Sequence, residues 1–336
     1  MTPAIFGLSG PALTDAERAF FREADPAGYI LFGRNIENRE QVRALTDDLR
    51  GIHGRAELLV SVDQEGGRVQ RMKAPEWDTY PPGEVFDRLY DTAPASAIEA
   101  ARVNAEALAI DLAEVGINLD YHPPLDLRQD GAHDIIGDRA LGRDPMRVAA
   151  LGRAILAGLG RAGVLGCIKH MPGHGRALAD SHKELPRVTA SAEELEDDLK
   201  PFTALHDAPV GMTCHLLFEA WDTDRPATFS ETIIADIIRT RIGFTGLLLT
   251  DDIDMQALEG PVPERSERAL AAGCDIVLNC WGKMDDMEGI AARCGTMSDA
   301  TRQRFERACK AAGGGGTAGE RAELIAKRDA LLDYAA

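Results

Sequence analysis

The densest chemistry in the chain lies in one stretch, KHMPGHGRALADSH from Lys169 to His182, which gathers a lysine, three histidines and an aspartate. Pro172, Gly173 and Gly175 forbid a regular helix there, so the segment is expected to be a loop. Asp180 and His182 are two residues apart, close enough for the carboxylate to fix the imidazole tautomer and raise its basicity, as general acid–base chemistry requires. His170 and His174 are four apart, a spacing that gathers metal ligands on one face only within a helix. With the helix excluded, the sequence is read as needing no metal and no other cofactor. A metal-dependent hydrolase using His170, His174 and Asp251 is kept as the competing reading.

Other reactive groups stand further along the chain. TDDIDM, Thr250 to Met255, closes an apolar run with adjacent carboxylates, and a carboxylate so placed can attack a sugar carbon. Asp252 is expected to cap a following helix instead, which leaves Asp251 for chemistry. In VDQEGGRVQR, Val62 to Arg71, Asp63 follows an apolar run and a glycine pair turns the chain back over it. An aspartate there can accept two hydrogen bonds from vicinal hydroxyls. Arg139, in IIGDRALGRD, reads on its own as a surface salt-bridge residue.

These groups need a scaffold, and the apolar runs supply one. Buried strands are expected at Ile5–Leu8, Tyr29–Phe32, Leu58–Val62, Ile117–Tyr121, Val164–Lys169, Val210–His215, Leu247–Thr250 and Asp275–Asn279, each short and bounded by Gly, Pro or charge. Helix signatures fall between them. Thr14 with Glu17, and Ser191 with Glu194, have the spacing of capping boxes. Val42, Leu45, Leu49 and Ile52 recur at helical spacing, as do Met146, Val148, Leu151, Ile155 and Leu159.

Strands alternating with helices imply a parallel sheet, and eight such units close into a single (β/α)8 TIM barrel, an α/β fold. An open doubly wound sheet would concentrate polar groups at one switch point. Here Arg34, Asp63, Asp120, Lys169, His170, His215, Asp251 and Asp252 come from six of the eight runs, which favours the barrel. The catalytic barrel is expected over residues 1–290. Residues 291–336 are expected to form a helical extension packing on it, interrupted by Gly313–Gly316.

Composition narrows the partners. A formal charge of -18 and a pI near 4.9 repel polyanions, and no run of Lys and Arg could neutralise successive phosphates, so nucleic acid is excluded. The first residues carry no basic segment followed by an apolar one, and charges interrupt every apolar stretch short of a membrane span. The expectation is a cytoplasmic protein without a membrane partner. Six cysteines without CxxC spacing, four of them in apolar runs, fit a reducing compartment.

Taken together, the motifs resemble the glycoside hydrolase family 3 β-N-acetylhexosaminidases, in particular the bacterial enzymes of peptidoglycan recycling. The matches run in order: ILFGRNIEN at Ile30, DQEGGRVQR at Asp63, INLDYHPPLDL at Ile117, GDRALG at Gly137, KHMPGHG with DSHKELP from Lys169, GMTCHLLF at Gly211, PATFS at Pro226, GFTGLLLTDD at Gly243 and AAGCDIVLN at Ala271. The resemblance implies a retaining exo-β-N-acetylglucosaminidase acting on GlcNAc-1,6-anhydroMurNAc and its peptides. It implies that Asp251 is the nucleophile and that His182, oriented by Asp180, is the acid/base. Asp63, Arg71, Arg139, Lys169 and His170 would hold the sugar. The partner is then a small-molecule sugar, the enzyme a monomer, and phosphorolysis a variant of the same chemistry left open by a neutral acid/base group.

Overall fold

All eight runs form strands, each pairs in parallel with the next, and the last closes on the first. The computed structural model describes residues 1–55, 57–131, 134–177, 185–312 and 318–333. Asp180 and His182 lie outside the described residues. The barrel strands are β1 (Thr2–Gly7), β2 (Pro26–Leu31), β3 (Leu59–Val62), β4 (Leu119–Asp120), β5 (Leu165–Met171), β6 (Val210–Thr213), β7 (Leu247–Asp252) and β8 (Ile276–Asn279). The register closes the circle, with Ile5 beside Gly28, Gly28 beside Leu59, Ile168 beside Gly211, and Leu278 beside Ile5.

Helices return the chain outside the sheet. They are α1 (Asp15–Ala24), α2 (Arg39–His53), α3 (Gly83–Thr92), α4 (Pro94–Glu114), α5 (Pro145–Arg161), α6 (Glu196–Ala204), a π-helical turn (Ile233–Arg241), α7 (Val262–Ala272) and α8 (Met284–Cys294). The Thr14–Glu17 box opens α1 as expected: Glu17 N–H donates to Thr14 Oγ1 at 3.1 Å, and Thr14 N–H to Glu17 Oε2 at 2.9 Å. The reciprocal Ser191–Glu194 pair also forms, but it closes a turn, and α6 starts only at Glu196. On α5 the apolar face begins at Val148. Met146 is 63% exposed, because it precedes Val148 by two residues and so faces away from Leu151 and Ile155.

Two cores result. Ile5, Ile30, Leu59, Leu119, Leu165, Val210, Leu249 and Ile276 point inward and fill the barrel, while Phe6, Tyr29, Val60, Ile168 and Leu248 face the helices. This is the alternation that strands covered on both faces require. The inner cluster also includes Met297, Phe305, Ala308 and Ala312. The last three lie on α9 (Asp299–Ala312), whose Arg304 and Thr301 bind Asp275 just before β8. The final helix, α10 (Arg321–Asp333), packs on α4, with Arg328 donating to Asn104 at 3.1 Å. Helix α8 crosses the boundary expected at residue 290. All six cysteines are free thiols, and Cys167, Cys214, Cys274 and Cys280 are buried.

Candidate active site

The strand ends at the mouth present the groups that the sequence singled out. A short hairpin after β3, Gln64–Gly66 against Val69–Gln70, folds back over Asp63. Its turn requires glycine at Gly66, where φ is +98° and a Cβ would lie 2.4 Å from the Pro81 carbonyl oxygen. The hairpin returns Arg71 to Asp63, with Nη2 donating to Oδ2 at 3.2 Å, and sets its guanidinium over the Phe32 ring.

From β5, the Lys169 ammonium reaches Asp63 Oδ1 at 3.1 Å and Glu65 Oε1 at 2.8 Å. Glu65 also takes both arms of Arg139, at 2.7 and 2.9 Å. Burial alone would neutralise these groups. Instead Arg139 and Lys169 hold the Glu65 carboxyl well below its usual value, Lys169 and Arg71 depress Asp63, and the two acids raise Lys169. Arg139 is therefore half of a buried pair, not a surface residue, because Glu65 draws it inward over the hairpin. Asp120 differs: burial lifts its carboxyl well above the ordinary range despite a hydrogen bond from Gln64 N–H at 2.9 Å.

His170 is fixed from behind. Asp126 lies 2.7 Å from its Nδ1, and the same carboxylate accepts from the His170 and His174 backbone N–H groups at 3.2 and 2.6 Å. Nε2 is then the nitrogen left for a ligand. His174 stacks edge-on against His170, with centroids 5.5 Å apart, and burial pushes it down to about 4. Among the described residues no three His, Cys, Asp or Glu side chains are placed to hold a metal ion.

Asp251 ends β7 with its neighbour Asp252. Burial would raise the Asp251 carboxyl, but His170, His215, the Asp252 N–H at 2.7 Å and Lys169 together hold it at about 2. Asp252 does not cap a helix, since α7 begins only at Val262. Its Oδ1 accepts from Asp254 N–H at 3.1 Å and from Cys280 N–H at 3.3 Å.

Asp63, Arg71, Arg139, Lys169, His170 and Asp251 thus line one pocket of about 310 Å³, with Phe32, Tyr121, Met212, Met255 and Leu278 as its apolar wall. Asp180 and His182 belong to a segment outside the described residues, shortly beyond Gly175. An adjoining cavity of about 430 Å³ shares Arg68 with the pocket and runs along Arg128 to Gly175. Sequence reasoning missed Glu65 and Asp126. Glu65 had a signal, because residues two apart on an extended segment share a face with Asp63; Asp126 had none beyond lying in a conspicuous motif.

A carboxylate kept ionised at the mouth of a barrel, beside fixed cations in a ring-sized pocket, is the equipment of an enzyme that cuts glycosidic bonds. Comparison with known proteins agrees. Residues 8–310 match the glycosyl hydrolase family 3 N-terminal domain. The β-hexosaminidase of Chromobacterium violaceum is 42% identical over 283 residues, covering 83% of this chain and 78% of that one; that of Bordetella avium is 38% identical over 283 residues, covering 83% and 80%. The structure of NagZ from Neisseria gonorrhoeae in complex with N-trifluoroacetyl-D-glucosamine superposes with a TM-score of 0.87 at 31% identity, covering 100% of this chain and 98% of that one. The chain belongs to glycoside hydrolase family 3, in its β-N-acetylhexosaminidase branch.

Proposed function

We propose that the protein is a retaining exo-β-N-acetylglucosaminidase that removes terminal GlcNAc from GlcNAc-1,6-anhydroMurNAc and its peptides, working as a monomer in the cytoplasm. The observation that carries the mechanism is the state of Asp251. Of the carboxylates lining the pocket, Asp63 is bound to Lys169 and Arg71, and Asp252 accepts from backbone N–H groups. Asp251, among the described residues, accepts one hydrogen bond, from the Asp252 N–H, and stays ionised. It is the group poised for attack.

In the first step an Asp251 oxygen bonds to C1 as the bond from C1 to the leaving oxygen breaks, and His182 gives that oxygen its proton. In the second, His182 takes a proton from water while the water oxygen bonds to C1 and Asp251 departs. Asp180 orients His182 throughout. Asp63, Arg71, Arg139, Lys169 and His170 hold the hydroxyls and N-acetyl group, and the adjoining cavity gives the leaving fragment room.

Rates on aryl N-acetylglucosaminide and aryl glucoside, with and without phosphate, test the sugar and the acceptor. Equal rates on both sugars would sink the assignment. A fluorinated sugar with a good leaving group should label Asp251, and a label on Asp252 would move the role by one residue. His182→Ala should slow cleavage of the natural disaccharide by roughly 10²–10⁴-fold, with a phenol burst on an activated aryl substrate. An equal loss on both without a burst would assign the acid elsewhere. Sedimentation and cell fractionation check the monomer and its compartment.

A further inference from the structure

Behind Asp251 the chain is strapped together by a second pair of acids that the reaction does not use. The Asp252 N–H donates to Asp251 Oδ1 at 2.7 Å, and the Asp252 carbonyl pairs with His215 Nε2 at 2.9 Å. The Asp252 carboxyl binds the N–H groups of Asp254 and Cys280, and Asp254 Oδ2 accepts from Asn279 Nδ2 at 2.8 Å and from Cys280 N–H at 3.1 Å. The two carboxyls therefore tie the end of β7 to the chain leaving β8, and they converge on one donor, the Cys280 N–H, at 3.3 and 3.1 Å.

Among the described residues neither carboxyl forms an ion pair. The guanidiniums of Arg34 and Arg265 act on the pair only at a distance. Arg34 donates to the Leu8 and Cys280 carbonyls, and Arg265 to those of Gly260, Ile253 and Met255. The remaining groups facing the pair are Asp251, Asp286 of α8, the Cys280 thiol and His215, and the acids among them oppose a second negative charge. Asp254 Oδ1 is buried without a hydrogen-bond partner among the described residues. A buried acceptor in that state calls for a donor, and a carboxyl proton is the one within reach.

We propose that Asp252 and Asp254 share one proton and act together as positioning residues, clamping the peptide whose N–H holds the nucleophile oxygen. This rests on the reading of Asp251 as nucleophile. Burial acts in the same direction, raising both acids above the usual carboxylate range. Asp252→Asn is the mimic of the protonated form, since its amide keeps an acceptor for the two N–H groups and supplies a permanent donor toward Asp254.

The test compares Asp252→Asn, Asp252→Ala and Asp254→Asn with the parent enzyme. At neutral pH the infrared difference spectrum of parent minus Asp252→Asn should contain a protonated-carboxyl C=O band; the other carboxyls, Asp120 included, are common to both proteins and cancel in that difference. Asp252→Asn should keep kcat within about 5-fold and lose the alkaline fall in kcat that departure of the shared proton produces, whereas Asp252→Ala should lower kcat on the order of 10²-fold with little change in KM, the cost of a misplaced reacting group. Absence of the band, or an Asp252→Ala enzyme with parental kcat, overturns the proposal. A fluorosugar label that maps away from Asp251 would refute the nucleophile reading separately, because the infrared band does not depend on it.

Discussion

Glu65 touches no expected reacting atom, yet changing it should disturb the protein more than most surface substitutions together. Its side chain is 4% exposed and meets three N–H donors, two from Arg139 and one from Lys169. In Glu65→Gln the shape survives but the charge is lost. Lys169 still has the Asp63 carboxylate at 3.1 Å, whereas Arg139 is left with neutral acceptors, the new amide oxygen and the Ile135 carbonyl at 3.1 Å. Removing one partner of a buried ion pair costs about 3–5 kcal/mol, and the surviving contacts put this case near 3. For a chain of this size roughly 2 °C is lost per kcal/mol, so melting should fall by about 6 °C. The pH dependence follows from the depressed carboxyl: its contribution is full above the ordinary glutamate value of 4.5 and fades as pH drops below that toward the folded value. The parent should therefore lose its advantage over Glu65→Gln in acid. A paired change, Glu65→Leu with Arg139→Met, removes both charges and should bring stability back to within about 2 kcal/mol of the parent, since apolar replacement of a buried pair is often neutral. It should not restore turnover, because Arg139 lines the pocket. Differential scanning calorimetry with parallel kcat/KM measurements decides the matter. A Glu65→Gln melting point within about 1 °C of the parent, or a paired variant with full activity, refutes the reasoning.

Two further outcomes follow from the groups around the pocket. Asp126→Ala frees the His170 ring and two backbone N–H groups, so kcat/KM should fall on the order of 10²-fold through misplacement alone; a change of only a few-fold would show that His170 is held by other means. Burial pushes His122 and His174 down to about 4, so the unfolded chain binds protons there that the folded chain refuses, and the melting point should drop as pH falls from 6.5 toward 4. His122→Gln should flatten that slope, as thermal melts across the interval will show.

The barrel was legible because strands buried on both faces read as short continuous apolar runs, and because reactive groups followed so many of them. Leu247–Asp252 shows both signals in six residues. What stayed hidden depended on closure. Arg139 looks like any exposed arginine until the hairpin after β3 brings Glu65 beneath it, and Asp126 acquires meaning only when Lys169 and His170 come down the neighbouring strand. Asp252 was misread for a related reason: an acid after a strand commonly starts a helix, and here nine residues intervene before α7, leaving its carboxyl to bridge two strands. Met146 failed on simple phase, since the helical stripe begins two residues later.

The helix that closes the bottom of the barrel bears on how the protein is made. Phe305, Ala308 and Ala312 complete the inner apolar cluster, and Arg304 and Thr301 satisfy the acid that leads into β8. During synthesis these residues leave the ribosome after all eight strands. Until then the barrel floor is an open apolar surface on a nascent chain, the kind of surface that chaperones hold and that aggregates when left unattended. A chain that ends short of Asp299 would thus carry all eight strands and no stopper, its inner cluster open at one end.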